Sequence, residues 1–150
     1  MNMLNVGVIG ASWWADRAHI PGLQSVEGIN VKAICDKDTS KLNAIADKFN
    51  ISARYTDYRD MLKSDDIEAI TIAVPNYMHH PITMDALEHG KHVICEKPLG
   101  ISCEEAKKSY EKAKKANVRH MVPFTWRFIP AAIRMKELIE QGYLGRVYHV

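Results

Sequence analysis

Short runs of consecutive apolar residues alternate along this chain with longer stretches in which apolar and charged residues recur at helical spacing. A strand covered on both faces has no polar side, so such runs belong to a parallel sheet sandwiched between helices. The runs lie at 5–9, 30–35, 69–74, 92–95 and 120–122. Five of them in alternation with helices predict an α/β fold, a doubly wound parallel sheet. The helices carry end signals. SCEE at 102–105 has the form of a capping box, in which the Ser102 oxygen accepts the third helical amide and Glu105 reaches back to the Ser102 amide; the helix should run to Ala116. Pro81 suits a first turn, and Gly90 suits the left-handed position that ends the same helix. Thr39 or Ser40 is expected to cap a helix to Phe49, a short helix fits 58–63, and Pro130 opens a helix that stops at Gly142. GRVYHV at 145–150 reads as the start of a further strand, inside which the chain ends.

Composition narrows the class. At 150 residues, 47% hydrophobic and 25% charged, the chain is long and apolar enough for one domain with its own core. A formal net charge of +2, with lysines and acids interspersed, provides no basic stripe, so no nucleic-acid partner is expected. No apolar run reaches the roughly 18 residues that cross a bilayer, and the first residues lack the form of a signal peptide. The expectation is a cytoplasmic protein with no membrane partner. Cys35, Cys95 and Cys103 are odd in number, form no CxxC pair and read as buried thiols. His79 and His80 are adjacent and have no third ligand at metal-site spacing, so no metal is expected.

The first strand runs into VGVIGASWWA. In the fingerprint G-x-G-x-x-G/A the first glycine makes a tight turn, the second admits a pyrophosphate close to the backbone, and the third position packs helix on strand. Gly10, Ser12 and Ala15 fill these places. Ala15 is small enough, whereas Ser12 adds a Cβ where close approach matters; its hydroxyl is itself a donor to a phosphate oxygen. Asp36 follows Ala15 by 21 residues, where an acidic residue is expected to accept from the ribose hydroxyls and repel a 2′-phosphate. NAD is therefore favoured over NADP, with Lys37 and Lys41 as the residues able to reverse that preference. Of Trp13 and Trp14, one should pack on neighbouring elements and the other shield the cofactor; Trp13 stands among the candidate contacts.

Open parallel sheets bind ligands beyond the carboxyl ends of their strands. PNYMHH follows the third run, EKP the fourth and PFTWRF the fifth, and Pro75 and Pro98 stiffen two of these loops. On these residues the chain resembles the Gfo/Idh/MocA oxidoreductases, which include glucose-fructose oxidoreductase and inositol dehydrogenase. The likeness runs through GVIGASWWA, ICDKD, VPNYMHHPITMDALEHGKHVICEKPLGIS and WRFIPAAIRMKELIEQGYLGRVYHV, and its specific part is the segment through GKHVICEKP.

The resemblance implies a nicotinamide-dependent enzyme that transfers a hydride between NAD or NADP and a sugar, cyclic polyol or related hydroxy compound. It implies that Lys97 lies near the nicotinamide, orients the substrate and joins the proton relay, and that Glu96 holds that loop. Pro75, Asn76 and His79 match positions lining the cofactor cleft, and Arg127 matches one at the active-site mouth. It divides the chain into a Rossmann dinucleotide-binding domain at 1–123 and, at 124–150, the connecting helix and first strand of a second domain. That domain supplies the family's acid/base histidine, so this chain alone is expected to bind cofactor without useful turnover. The helix at 130–141 and the final strand leave apolar surface that predicts a homo-oligomer. A non-catalytic NAD(P)-binding regulatory or scaffold module remains the alternative. CoA would suit the GAS turn and S-adenosylmethionine the acidic residue after the second strand, but neither explains EKP.

Overall fold

A computed structural model describes residues 3–149. Six parallel strands form one sheet in the order β3-β2-β1-β4-β5-β6. They are β1 (Leu4–Ile9), β2 (Ile29–Cys35), β3 (Ala53–Tyr55), β4 (Ala69–Ile72), β5 (His92–Cys95) and β6 (His120–Met121). This order belongs to dinucleotide-binding folds, and the winding reverses between β1 and β4. The helices are α1 (Ile20–Gln24), α2 (Thr39–Lys48), α3 (Tyr58–Leu62), α4 (His79–Glu88), α5 (Cys103–Ala116) and α6 (Pro130–Glu140). A π-helical turn, Ala15–His19, leads into α1.

Alternation along the strands builds two cores. Val8 and Ile34 face one side, where they pack with Ile20 of α1 and with Leu42 and Ala46 of α2. Ile9, Ile70 and Ile72 face the other, against Met61 and Leu62 of α3 and Ile82, Ala86 and Leu87 of α4. The sheet is thus covered on both faces, as its apolar runs require. The strand that the sequence pattern misses is β3, an edge strand of ARY with no apolar run of its own; its pairing with Ala33 to Cys35 of β2 supplies the order.

Cap chemistry revises several boundaries. Asp38, rather than Thr39 or Ser40, caps α2, because its carboxylate accepts the amides of Ser40 and Lys41 and complements the helix dipole. Ser102 accepts the Glu105 amide at 3.2 Å, but Glu105 takes the amide of Ile101 at 2.8 Å instead of that of Ser102. Ser102 is extended (φ −144°, ψ 159°), and neighbouring amides of extended backbone point to opposite sides, so only one faces the carboxylate. The strand expected at 145–150 does not form over 145–149, where no partner strand supplies the ladder a strand needs; Val150 lies outside the described residues. No residue of α6 is buried, and no helix among the described residues is long and apolar enough to cross a membrane.

Cys35 and Cys95 are buried, as their strand positions imply, but Cys103 opens α5 in solvent. Burial pushes the thiol of Cys35 up to about 12 and that of Cys95 to about 11, while Asp36, Asp57 and Asp60 add to the first. Thiolate is the reactive form. A colorimetric thiol reagent at neutral pH should therefore modify Cys103 alone in the folded chain and all the cysteines after denaturation.

Candidate functional site

The carboxyl ends of β1, β2, β4 and β5 converge on one edge of the sheet. Gly10 leaves β1 with φ +104° and donates its amide to the Cys35 carbonyl at 2.8 Å. A Cβ there would overlap the carbonyl of Ala73, just past β4, so the turn admits glycine alone. The next amide, of Ala11, donates to Asp36 at 2.7 Å, and the second carboxylate oxygen accepts the Asp38 amide at 2.9 Å. Asp36 therefore braces the turn from the end of β2. The Ser12 oxygen accepts the Ala15 amide at 3.1 Å, which makes the serine a cap and leaves its hydroxyl hydrogen free to donate. The amides of Ser12, Trp13 and Trp14 meet no acceptor among the described residues. Free amides at a helix start, with the helix dipole behind them, suit a phosphate.

Two cavities flank this turn. The larger, about 760 Å³, is bounded by Ser12, Trp14, Asn76, Glu96, Lys97 and Trp126. The smaller, about 240 Å³, is bounded by Gly10, Asp36, Lys37 and Tyr77. Val74 and Pro75 border both, so the rigid proline stands on the divide. A ligand with two ends joined by a diphosphate matches this layout, with its phosphates over the free amides. Lys41 is turned away to pair with Asp38 at 3.2 Å, which leaves Lys37 as the lysine beside Asp36.

Of three further expected contacts, one borders a cavity. Trp13 is 68% exposed, stacks on Trp14 and borders neither cavity; Trp14 is the tryptophan in the wall. His79 touches the larger cavity, but its ring is buried, with Nδ1 2.6 Å from the Pro98 carbonyl oxygen and Nε2 2.8 Å from that of Val74. It straps the loop after β4 to the loop after β5. Arg127 is exposed on the 3-10 turn Thr125–Phe128; its neighbours Thr125 and Trp126 reach the cavity instead.

Behind the cavity wall Glu96 joins a polar cluster in which sequence reasoning missed His19 and Thr71. The buried Glu96 carboxylate accepts from Trp14 Nε1 at 2.7 Å, from His19 Nε2 at 3.0 Å and from the Lys97 amide at 3.1 Å. His19 Nδ1 lies 3.0 Å from the hydroxyl of Thr71, a fully buried residue of β4. The available signal was a threonine inside the apolar run AITI. Burial lowers the pKa of His19 more than Glu96 raises it, and burial alone lowers that of His120. Both rings are thus neutral in the folded chain at a pH where the unfolded chain, with an ordinary value of about 6.5, begins to take up protons. Stability is complete above that value and falls as the pH drops through it toward the depressed folded values. Urea unfolding at about pH 7.5 and about pH 5.5 should show the lower midpoint in acid; equal midpoints would deny that the rings are buried uncharged.

Known proteins share this fold. The family model described as "Oxidoreductase family, NAD-binding Rossmann fold" matches residues 4–124. A levoglucosan dehydrogenase of Pseudarthrobacter phenanthrenivorans is 35% identical over 98% of this chain and 40% of its own length. A levoglucosan dehydrogenase solved with NADH superposes with a TM-score of 0.83 at 34% identity, over 97% of this chain and 41% of that one. A 3-ketoreductase from Actinomadura kijaniata solved with NADP gives 0.90 at 26% identity, over 97% and 46%. The chain thus spans less than half the length of the relatives it matches.

Proposed function

The chain belongs to the Gfo/Idh/MocA oxidoreductase family, and from that premise we propose that it is the nicotinamide-binding part of a dehydrogenase for a sugar, cyclic polyol or related hydroxy compound. The observation that carries this reading is the Gly10 turn, braced by Asp36 through the Ala11 amide and followed by the free amides of Ser12, Trp13 and Trp14, between two cavities that share Val74 and Pro75. In it, residues 1–123 hold the cofactor and residues 124–150 lead to the substrate side. Relatives solved with NADH and with NADP leave both cofactors in play, and Asp36 favours NAD, since its charge opposes a 2′-phosphate.

The bound nicotinamide supplies the hydride acceptor or donor. The amides of Ser12, Trp13 and Trp14, with the Ser12 hydroxyl, hold the diphosphate. Asp36 accepts from the ribose hydroxyls in the smaller cavity. Pro75, Asn76 and Glu96 wall the nicotinamide end, and Lys97, which borders the larger cavity, hydrogen-bonds the substrate oxygen, giving it a proton as ammonium in reduction and taking that proton as amine in oxidation. Arg127 stands at the mouth. Self-association draws on the exposed Trp126, Phe128, Tyr143 and Leu144, and the cytoplasm is the compartment in which this reading places the protein.

Calorimetric titration with NAD and NADP side by side tests the proposal. The expected result is binding of both, with NAD tighter by about tenfold, the effect of one ordinary charge interaction. A preference for NADP would transfer the ribose end to Lys37, and binding of neither would overturn the cofactor reading.

A further inference from the structure

We propose that His19 and Thr71 are positioning residues, which fix the Glu96 carboxylate and through it both the Lys97 backbone and the Trp14 indole. The assignment rests on counting hydrogens. An ionised carboxylate only accepts, so the hydrogen between His19 and Glu96 belongs to Nε2. A neutral imidazole then has a lone pair at Nδ1, and Thr71 fills it by donating its hydroxyl hydrogen. The chain of bonds runs in one sense from Thr71 to His19 to Glu96, and each of these polar atoms is satisfied. The opposite tautomer would set the lone pair of Nε2 against the carboxylate.

The backbone is shaped to make this contact. The Ile20 amide bonds to the Ala15 carbonyl, five residues back, so the first turn after the glycine loop is widened by one residue. His19 closes that wide turn and meets Thr71, which lies between Ile70 and Ile72 and points to the opposite face of β4, beneath α1. A buried hydroxyl on an apolar strand is costly without a partner, and here the imidazole is the partner. At its other end, Glu96 receives the Lys97 amide on Oε2 and the Trp14 indole on Oε1. One carboxylate thereby joins the element that follows Ser12 to the loop that carries Lys97. The bearing on hydride transfer rests on the reading of Lys97 given above; the positioning itself does not.

The test uses the ¹⁵N-labelled chain without ligand. Long-range ¹H–¹⁵N correlations at about pH 7.5 should find His19 as the Nε2–H tautomer with Nδ1 unprotonated. Thr71→Val keeps shape and removes the donor. It should shift the His19 signals and raise hydrogen exchange at the Lys97 amide and the Trp14 indole by about fivefold, the factor of one intramolecular hydrogen bond. Thr71→Ser, which restores a hydroxyl, should return these values toward those of the unaltered chain. An Nδ1–H tautomer, unchanged exchange in Thr71→Val, or no rescue by Thr71→Ser would each overturn the assignment. A parallel NADH titration of the unaltered chain separates the two readings. Failure to bind NADH beside the expected His19 pattern would remove the cofactor reading only, and binding beside the wrong tautomer would remove the positioning role only.

Discussion

Gly10→Ala is expected to destabilise the folded chain by about 2–5 kcal/mol, and to cost more than the same change at Gly28. Both glycines have positive φ, +104° and +84°, where an L side chain is strained by about 1–2 kcal/mol. They differ in their surroundings. A Cβ on Gly28 meets nothing within 4 Å, whereas one on Gly10 runs into the backbone carbonyl of Ala73 and lies 3.1 Å from Val74. A carbonyl at the end of a central strand cannot swing aside as a side chain would, because the Ala73 amide is itself bonded to Ile9 at 2.8 Å. Relief must come from parting β1 and β4 at their carboxyl ends, at a further cost of about 1–3 kcal/mol. For a domain stable by about 5–15 kcal/mol, that is a large share. The parting would also move the Ala11 amide off Asp36, so cofactor affinity should fall in the fraction that still folds. Urea denaturation of both variants decides the matter: equal losses would mean that φ alone, and not the approach to β4, requires glycine at position 10.

That contrast also shows what the sequence could reveal. Gly10 announced its turn, because a glycine after an apolar run has few other uses, and the spacing to Asp36 fixed which strand end it would meet. The bond from the Ala11 amide to Asp36 was not legible, since it depends on the register of β1 against β2, a non-local fact. β3 escaped for a similar reason: Arg54 at its centre breaks the apolar pattern, and the strand exists through its neighbour. His79 borders the larger cavity, but nothing in the local sequence says that two carbonyls from different loops will face its ring. The sequence puts Trp13 among the contacts, whereas Trp14 is the indole that turns inward, since only the direction of the helix start decides between them. His19 and Thr71 are separated by 52 residues, and no spacing rule joins a helix histidine to a strand threonine. Residues that act through their backbone context were readable; those that act through a tertiary partner were not.

Asp36→Asn should lower the preference for NAD over NADP by about tenfold or more, mainly by improving NADP binding. The carboxylate has two separable tasks, since it accepts the Ala11 amide on one oxygen and the Asp38 amide on the other while presenting its negative charge to the smaller cavity. Asparagine keeps one acceptor and turns an NH₂ group toward the remaining amide, so one brace is lost at a cost of about 1 kcal/mol. That loss weakens both cofactors alike, because it acts on the shared turn. The removed charge acts on the two cofactors in opposite senses: its loss weakens the hydrogen bonds from the NAD ribose hydroxyls, whereas a 2′-phosphate about 4–6 Å from a partly exposed carboxylate is repelled by on the order of 1–4 kcal/mol, and that repulsion vanishes with the charge. Lys37, at the same cavity, is then free to attract the phosphate without competition from its neighbour. The two effects separate in a calorimetric comparison. A changed ratio of the two dissociation constants reports the charge, and a common weakening reports the brace. If both constants rise together and their ratio stays fixed, Asp36 serves this turn as a strut, and discrimination at the ribose lies with Lys37.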